Sequence, residues 1–172
     1  MSASLPHDIL KKYKKEFSIF FEAGTSEGDS TQTAIELGFN EIYTIELDKE
    51  TYRRAFKRFE LTPKVHVYNA HSVGALKAIL PFIESPVLFF LDAHPDHYHD
   101  ITPVLQELEI IKSWKFPSSI IIDDMRLMGK NLWKDITIPV IINKLYEINP
   151  NFEITFEENG HAPGDLLVAD YR

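Results

Sequence analysis

Cysteine is absent from the 172 residues. That excludes a disulfide framework, a thiol nucleophile and a thiolate zinc site. No apolar run approaches the ~20 residues that a membrane-spanning helix needs. The N-terminus carries no apolar signal region. The sequence therefore reads as that of a cytoplasmic protein with no membrane partner. Positive charge is in short supply: 18 Lys and Arg stand against 26 Asp and Glu, a net charge of −8. Nucleic acid is not expected as the main partner, because phosphate binding needs a basic face. The one basic run, Lys11-Lys12-Tyr13-Lys14-Lys15, sits beside Ile9, Leu10 and Phe17 and reads as the solvated face of a helix. Internal repeats and low-complexity linkers are also missing.

Hydrophobic residues make up 44% of the chain and are spread throughout it, enough to bury a sizeable core. The pattern predicts one domain over 1–172, opened by a helical extension over 1–17. Strands are expected at 18–21, 41–47, 64–68, 87–91, 119–122, 152–156 and 166–169. Helices are expected at 29–37, 49–59, 72–82, 102–114 and 138–148. Continuous apolar strands between helices imply a parallel sheet covered on both faces. Only a turn with Gly160, Pro163 and Gly164 separates the last two strands, so they should pair antiparallel at one edge. The expected fold class is α/β: a Rossmann-like, doubly wound, mostly parallel seven-stranded sheet with a C-terminal antiparallel hairpin.

In such sheets a ligand sits beyond the carboxyl ends of the strands. The first strand leads into Glu22-Ala23-Gly24-Thr25-Ser26-Glu27-Gly28, and Asp29-Ser30-Thr31 opens the following helix. A glycine loop lets a ligand approach the backbone, and a helix N-terminus offers N–H groups to an anion. The spacing Gly24-x-x-x-Gly28 lacks the middle glycine of the dinucleotide fingerprint G-x-G-x-x-G. Glu46 ends the second strand, where a carboxylate can accept hydrogen bonds from both hydroxyls of a ribose. These residues suit a nucleoside with a small anionic tail and no pyrophosphate.

From about residue 18 to 171 the chain resembles the class I S-adenosylmethionine-dependent methyltransferases. The resemblance rests on Glu22-x-Gly24-x-x-x-Gly28, on Glu46 in TIELD, on Asn69-Ala70-His71-Ser72 after the third strand, and on LFFLDAH ending the fourth. It implies a cofactor, S-adenosylmethionine, held by Glu22, Gly24, Gly28, Ser30, Glu46, Asn69 and Ala70. It implies that Asp92 borders the site of methyl transfer.

Asp92 ends the fourth strand, and Asp123 and Asp124 end the fifth. Neighbouring strands lie roughly 4.8 Å apart, so these carboxylates can converge. Three hard oxygen ligands suit Mg²⁺. The layout is similar to that of the metal-dependent O-methyltransferases of the catechol and macrolide-sugar types, which implies a metal on Asp92, Asp123 and Asp124. Strand-end acids also cap helices, and successive strand residues point to opposite faces. Asp123 and Asp124 therefore converge only if the chain bends there. The lysine base of the catechol type falls at Pro95. His94, His97 and His99 are the local alternatives, with His94 the best placed. Arg126 and Lys130 can meet an anionic acceptor or solvent.

The expected activity is methylation, on oxygen, of a small-molecule acceptor. Asp92 and His94 are the catalytic candidates. No inserted domain closes the site, which a large acceptor or a homo-oligomer completing the pocket would explain. Three alternatives remain at this stage: a non-catalytic module that binds the cofactor or its product, a nicotinamide-dependent oxidoreductase, and another reaction of the cofactor on the same fold.

Overall fold

The computed structural model describes residues 4–93 and 101–172. In chain order the elements are α1 (His7–Lys14), β1 (Ile19–Ala23), α2 (Asp29–Glu36), β2 (Glu41–Glu46), α3 (Lys49–Phe59), β3 (Val65–Asn69) and α4 (Ser72–Ile79). They continue with β4 (Val87–Leu91), α5 (Val104–Ile111), β5 (Ser118–Ile122), α6 (Ile138–Ile148), β6 (Glu153–Glu157) and β7 (Leu166–Asp170). Short 3-10 turns follow α4 at Leu80–Phe82 and β5 at Met125–Leu127 and Asn131–Trp133.

The seven strands form one sheet in the order β3-β2-β1-β4-β5-β7-β6. The pairs from β3 to β5 are parallel, whereas β7 pairs antiparallel with both β5 and β6. The mixed, mostly parallel sheet with an antiparallel end is the expected fold class. Its order reverses between β1 and β4, which sets the glycine loop after β1 beside Asp92 after β4.

Strand alternation divides the apolar residues between two cores. Phe21, Phe89, Ile122 and Leu167 face one side, which α4, α5 and α6 cover through Leu76, Leu108 and Leu145. Phe20, Phe90, Ile121 and Val168 face the other, which Leu10, Tyr13, Ala34 and Phe59 cover. With helices on both faces, the central strands have no polar side, so β1, β4, β5 and β7 are buried at every position.

The element boundaries shift where a polar residue has a buried partner. β1 runs on through Glu22 to Ala23, so the acid lies inside the strand and not just after it. The last three residues expected of α5 leave the helix: it ends at Ile111, and Trp114 N–H donates to Ile111 O in a turn. The basic run lies on α1, as expected of a solvated helix face, but the other face of α1 is not solvated. Leu10 is fully buried and Tyr13 nearly so. Lys12 and Tyr13 also reach Glu157 of β6, with the Tyr13 hydroxyl donating at 2.5 Å.

Because α1 completes one of the two cores, Leu10→Ala should destabilise the whole domain by about 2–5 kcal/mol. Lys11→Ala, on the exposed face, should change stability by less than about 0.5 kcal/mol. Urea unfolding of the two variants checks this, and equal midpoints would mean that α1 is not part of the cooperative unit.

Candidate active site

The carboxyl ends of β1, β2, β4 and β5 carry Glu22, Glu46, Asp92 and Asp123. Glu22 is 1% exposed. Its Oε2 accepts hydrogen bonds from Thr31 Oγ1 of α2 at 2.5 Å and Thr44 Oγ1 of β2 at 2.6 Å. Thr25 in the glycine loop bonds the Thr44 hydroxyl at 2.6 Å. The buried carboxyl thus ties two strands, a helix and the loop together. Burial pushes it up to about 7, while hydrogen bonds from Thr31, Thr44 and Ser30 pull it down and Asp92 nearby adds to the rise.

The glycine loop bends back over β2. The Gly24 and Thr25 N–H groups donate to Ile45 O at 3.0 and 3.1 Å. Gly24 has φ +98°, and a Cβ there would lie 2.3 Å from Asp92 O. Only glycine allows this approach between the loop and the end of β4. Gly28 has φ +83° at the N-cap of α2, and a Cβ there would meet the Phe59 ring at 2.6 Å.

Glu46 closes β2 beside this loop. One of its oxygens accepts from Ser26 N–H and the other from Asp48 N–H, both at 2.9 Å. Each oxygen keeps a further acceptor position. Partial burial holds its carboxyl above the usual range, against the pull of these backbone donors. Asn69, at the end of β3, fixes the turn after β2 by donating to Glu46 O at 2.9 Å and Leu47 O at 3.0 Å. Ala70 follows, its N–H donating to Glu46 O at 3.1 Å. Ser30 points elsewhere: its buried hydroxyl accepts from Leu5 N–H at 2.9 Å and bonds Glu22.

The chain does bend after β5. Asp124 adopts the left-handed conformation, φ 63° and ψ 36°. Asp123, Asp124 and Asp165 then present oxygens that all lie within 4.8 Å of one another. Asp165 immediately precedes β7, and the antiparallel register Ile122↔Leu167 carries it back to the end of β5. Asp123 is buried and pushed up to about 7, first by burial and then by the charges of Asp92 and Asp124. Asp92 therefore stands next to the cluster, between it and Glu22, while Asp165 completes the group within 4.8 Å. His94 lies outside the described residues.

Asp165, Asn159 and the three threonines are the site residues that spacing did not reveal, and Arg126, expected to meet an anionic acceptor or solvent, meets carboxylates of the chain itself. Asn159 Nδ2 bridges Asp123 Oδ1 at 2.7 Å and Asp165 Oδ2 at 2.8 Å. Arg126 pairs with both Asp124 and Asp165.

The protonation of Glu22 sets a pH dependence. Its folded value of about 7 lies above its ordinary value of 4.5. The folded state therefore holds this proton more tightly, and the resulting stability is fully present below about pH 4.5 and lost as pH rises through about 7. The loss is about 3 kcal/mol at most, and Asp123 acts in the same direction. Glu22→Gln keeps an acceptor for the threonines without the charge. It should gain about 1–3 kcal/mol on the wild type at pH 8 relative to pH 5. Urea unfolding at both pH values measures the difference; a pH-independent one would mean that Glu22 carries the same charge throughout.

No protein-family model matches the sequence, and no curated protein sequence matches it. Solved structures do resemble the fold. An O-methyltransferase from Bacillus cereus, solved with S-adenosylhomocysteine, superposes with a TM-score of 0.67 at 16% identity, over 96% of this chain and 78% of that one. A precorrin-6y C5,15-methyltransferase from Geobacter metallireducens gives 0.63 at 7% identity, over 94% and 83%. An rRNA methylase from Streptococcus thermophilus gives 0.57 at 14% identity, over 95% and 92%. The agreement is one of overall shape: the chain has the fold of the class I S-adenosylmethionine-dependent methyltransferases.

Proposed function

We propose that the protein is an S-adenosylmethionine-dependent methyltransferase acting on an oxygen of a small-molecule acceptor. The observation that carries this reading is Glu46. Its two oxygens are held by backbone donors beside a glycine loop, with acceptor capacity left on both. That arrangement suits the two hydroxyls of a ribose.

The remaining residues fit the same cofactor. Gly24 presents bare backbone against the end of β4. The first turn of α2 offers N–H groups without partners in the helix, which suit the methionine carboxylate. Ser30, engaged with Leu5 and Glu22, would support that helix start from behind. Ala70 and the turn pinned by Asn69 would border the adenine. When bound, the cofactor supplies a methyl group activated on a cationic sulfonium. Asp92 places negative charge behind the glycine loop, which favours a cation there, and a cation there would in turn favour the charged form of Glu22. Asp92 would orient the acceptor hydroxyl in near-attack geometry. The histidines that follow Asp92 in the sequence, His94 first among them, remain the candidate bases and lie outside the described residues.

The resemblance to magnesium-dependent enzymes implied a metal on Asp92, Asp123 and Asp124. The carboxylates that converge among the described residues are Asp123, Asp124 and Asp165, and Arg126 is paired with two of them. That donor set does not suit a divalent cation, and the proposed reaction uses none. The chain's net charge of −8 and the acidic strand ends also favour a small acceptor over a nucleic acid.

Calorimetric titration of S-adenosylmethionine tests the reading. The wild type should bind it, and Glu46→Gln should weaken binding about 10–100-fold, as expected for lost hydrogen bonds to a charged group. Absence of binding to the wild type would overturn the assignment. Release of S-adenosylhomocysteine on adding hydroxylated small molecules would separate an enzyme from a binding module.

A further inference from the structure

We infer that Arg126 is a built-in cation that takes the place of a divalent metal in the acidic cluster after β5. The inference concerns the cluster itself and does not depend on the proposed methyl transfer.

The cluster holds three carboxylates on two segments, and Asp165 is fully buried among them. A buried carboxylate keeps its charge only when it is paired and hydrogen-bonded. Arg126 meets that need twice. Its guanidinium Nη1 pairs with Asp165 Oδ2 and Asp124 Oδ1. Its backbone N–H donates to Asp165 Oδ1 at 2.7 Å. Both oxygens of Asp165 are thus taken, and Oδ2 also accepts from Asn159 Nδ2 at 2.8 Å. Asp123 Oδ1 accepts from Asp124 N–H at 2.6 Å and from Asn159 Nδ2 at 2.7 Å.

Two things that a metal would do are therefore done by side chains. The positive charge comes from Arg126, and Asn159 cross-links Asp123 with Asp165. Local geometry keeps the arginine in place. The left-handed Asp124 starts a 3-10 turn, Met125–Leu127, with Met125 buried beneath it. Met125 N–H donates to Asp165 O at 3.0 Å, so the turn and the start of β7 are joined by the backbone as well. A magnesium ion needs near-octahedral oxygen ligands at close range. It could reach Asp124 Oδ1 and Asp165 Oδ2 only by displacing a guanidinium of like charge.

The test uses Mn²⁺ as the probe, followed by the electron paramagnetic resonance of the free ion, with melting scans in MgCl₂ against NaCl of equal ionic strength. Arg126→Ala should gain Mn²⁺ affinity of about tenfold or more over the wild type, with a rise in Tm on adding Mg²⁺ that the wild type lacks. Arg126→Lys, which keeps the charge, should remain indifferent to both ions. Asp123→Asn placed on Arg126→Ala should cancel the gain, which locates the ion in the cluster. Arg126→Met retains part of the apolar stem and serves if the alanine variant does not fold. Metal binding by the wild type as tight as by Arg126→Ala or Arg126→Met would overturn the inference. So would folded variants that gain no affinity.

Discussion

A carboxyl group buried among hydroxyls holds the carboxyl edge of this sheet in shape. Glu22 sits within β1, and the hydroxyls that reach it come from α2 and β2, with Thr25 of the loop adding a bond to Thr44. An acid at this depth would be costly without partners. With them, it links the elements that frame the glycine loop. Loop shape, the start of α2 and the position of Glu46 all follow from that linkage. The buried linkage thereby places the residues proposed to meet a ligand.

Negative charge accumulates along the same edge. Glu22, Asp92 and Asp123 lie close enough for each to influence the next, and Asp124 and Asp165 extend the row. The chain answers this charge in two ways. At Glu22 and Asp123 burial pushes the carboxyl up to about 7. Beyond β5 the charge is balanced by an arginine. The guanidinium of Arg126 keeps its own charge throughout this range, so the pairing with Asp124 and Asp165 supplies a fixed positive charge beside the titrating Asp123.

Much of this was legible in the sequence because the strands are continuous apolar runs. VLFFL and SIII are short, continuous and rich in strand-forming residues, which suits a strand buried on both faces, and each ends at an acid. The glycine loop and Glu46 were legible because their chemistry is local: a positive φ, a close approach, a strand end. What was hidden depends on contacts between distant segments. Glu22 looked like the end of a strand, since nothing nearby shows that Thr31 and Thr44 will bury it. Asp165 looked like part of a turn with Pro163 and Gly164. Only the insertion of β7 beside β5 brings it to Asp123 and Asp124. Arg126 had two open readings because its partners come from that same insertion. The 3-10 turns after β5 are too short to show any period.

The insertion of β7 also has a consequence for synthesis. In chain order β7 is the last strand, yet it lies between β5 and β6. Until it leaves the ribosome, β5 has an open edge and β6 has no partner in the sheet. Exposed strand edges of this kind recruit other chains. Asp165 also arrives late, so Arg126 waits for one of its two carboxylates. A chain whose first five strands paired before β7 was in place would carry an unpaired apolar edge and an unfinished ion pair. A chaperone holding that edge would be acting on the same segment that later completes the acidic cluster.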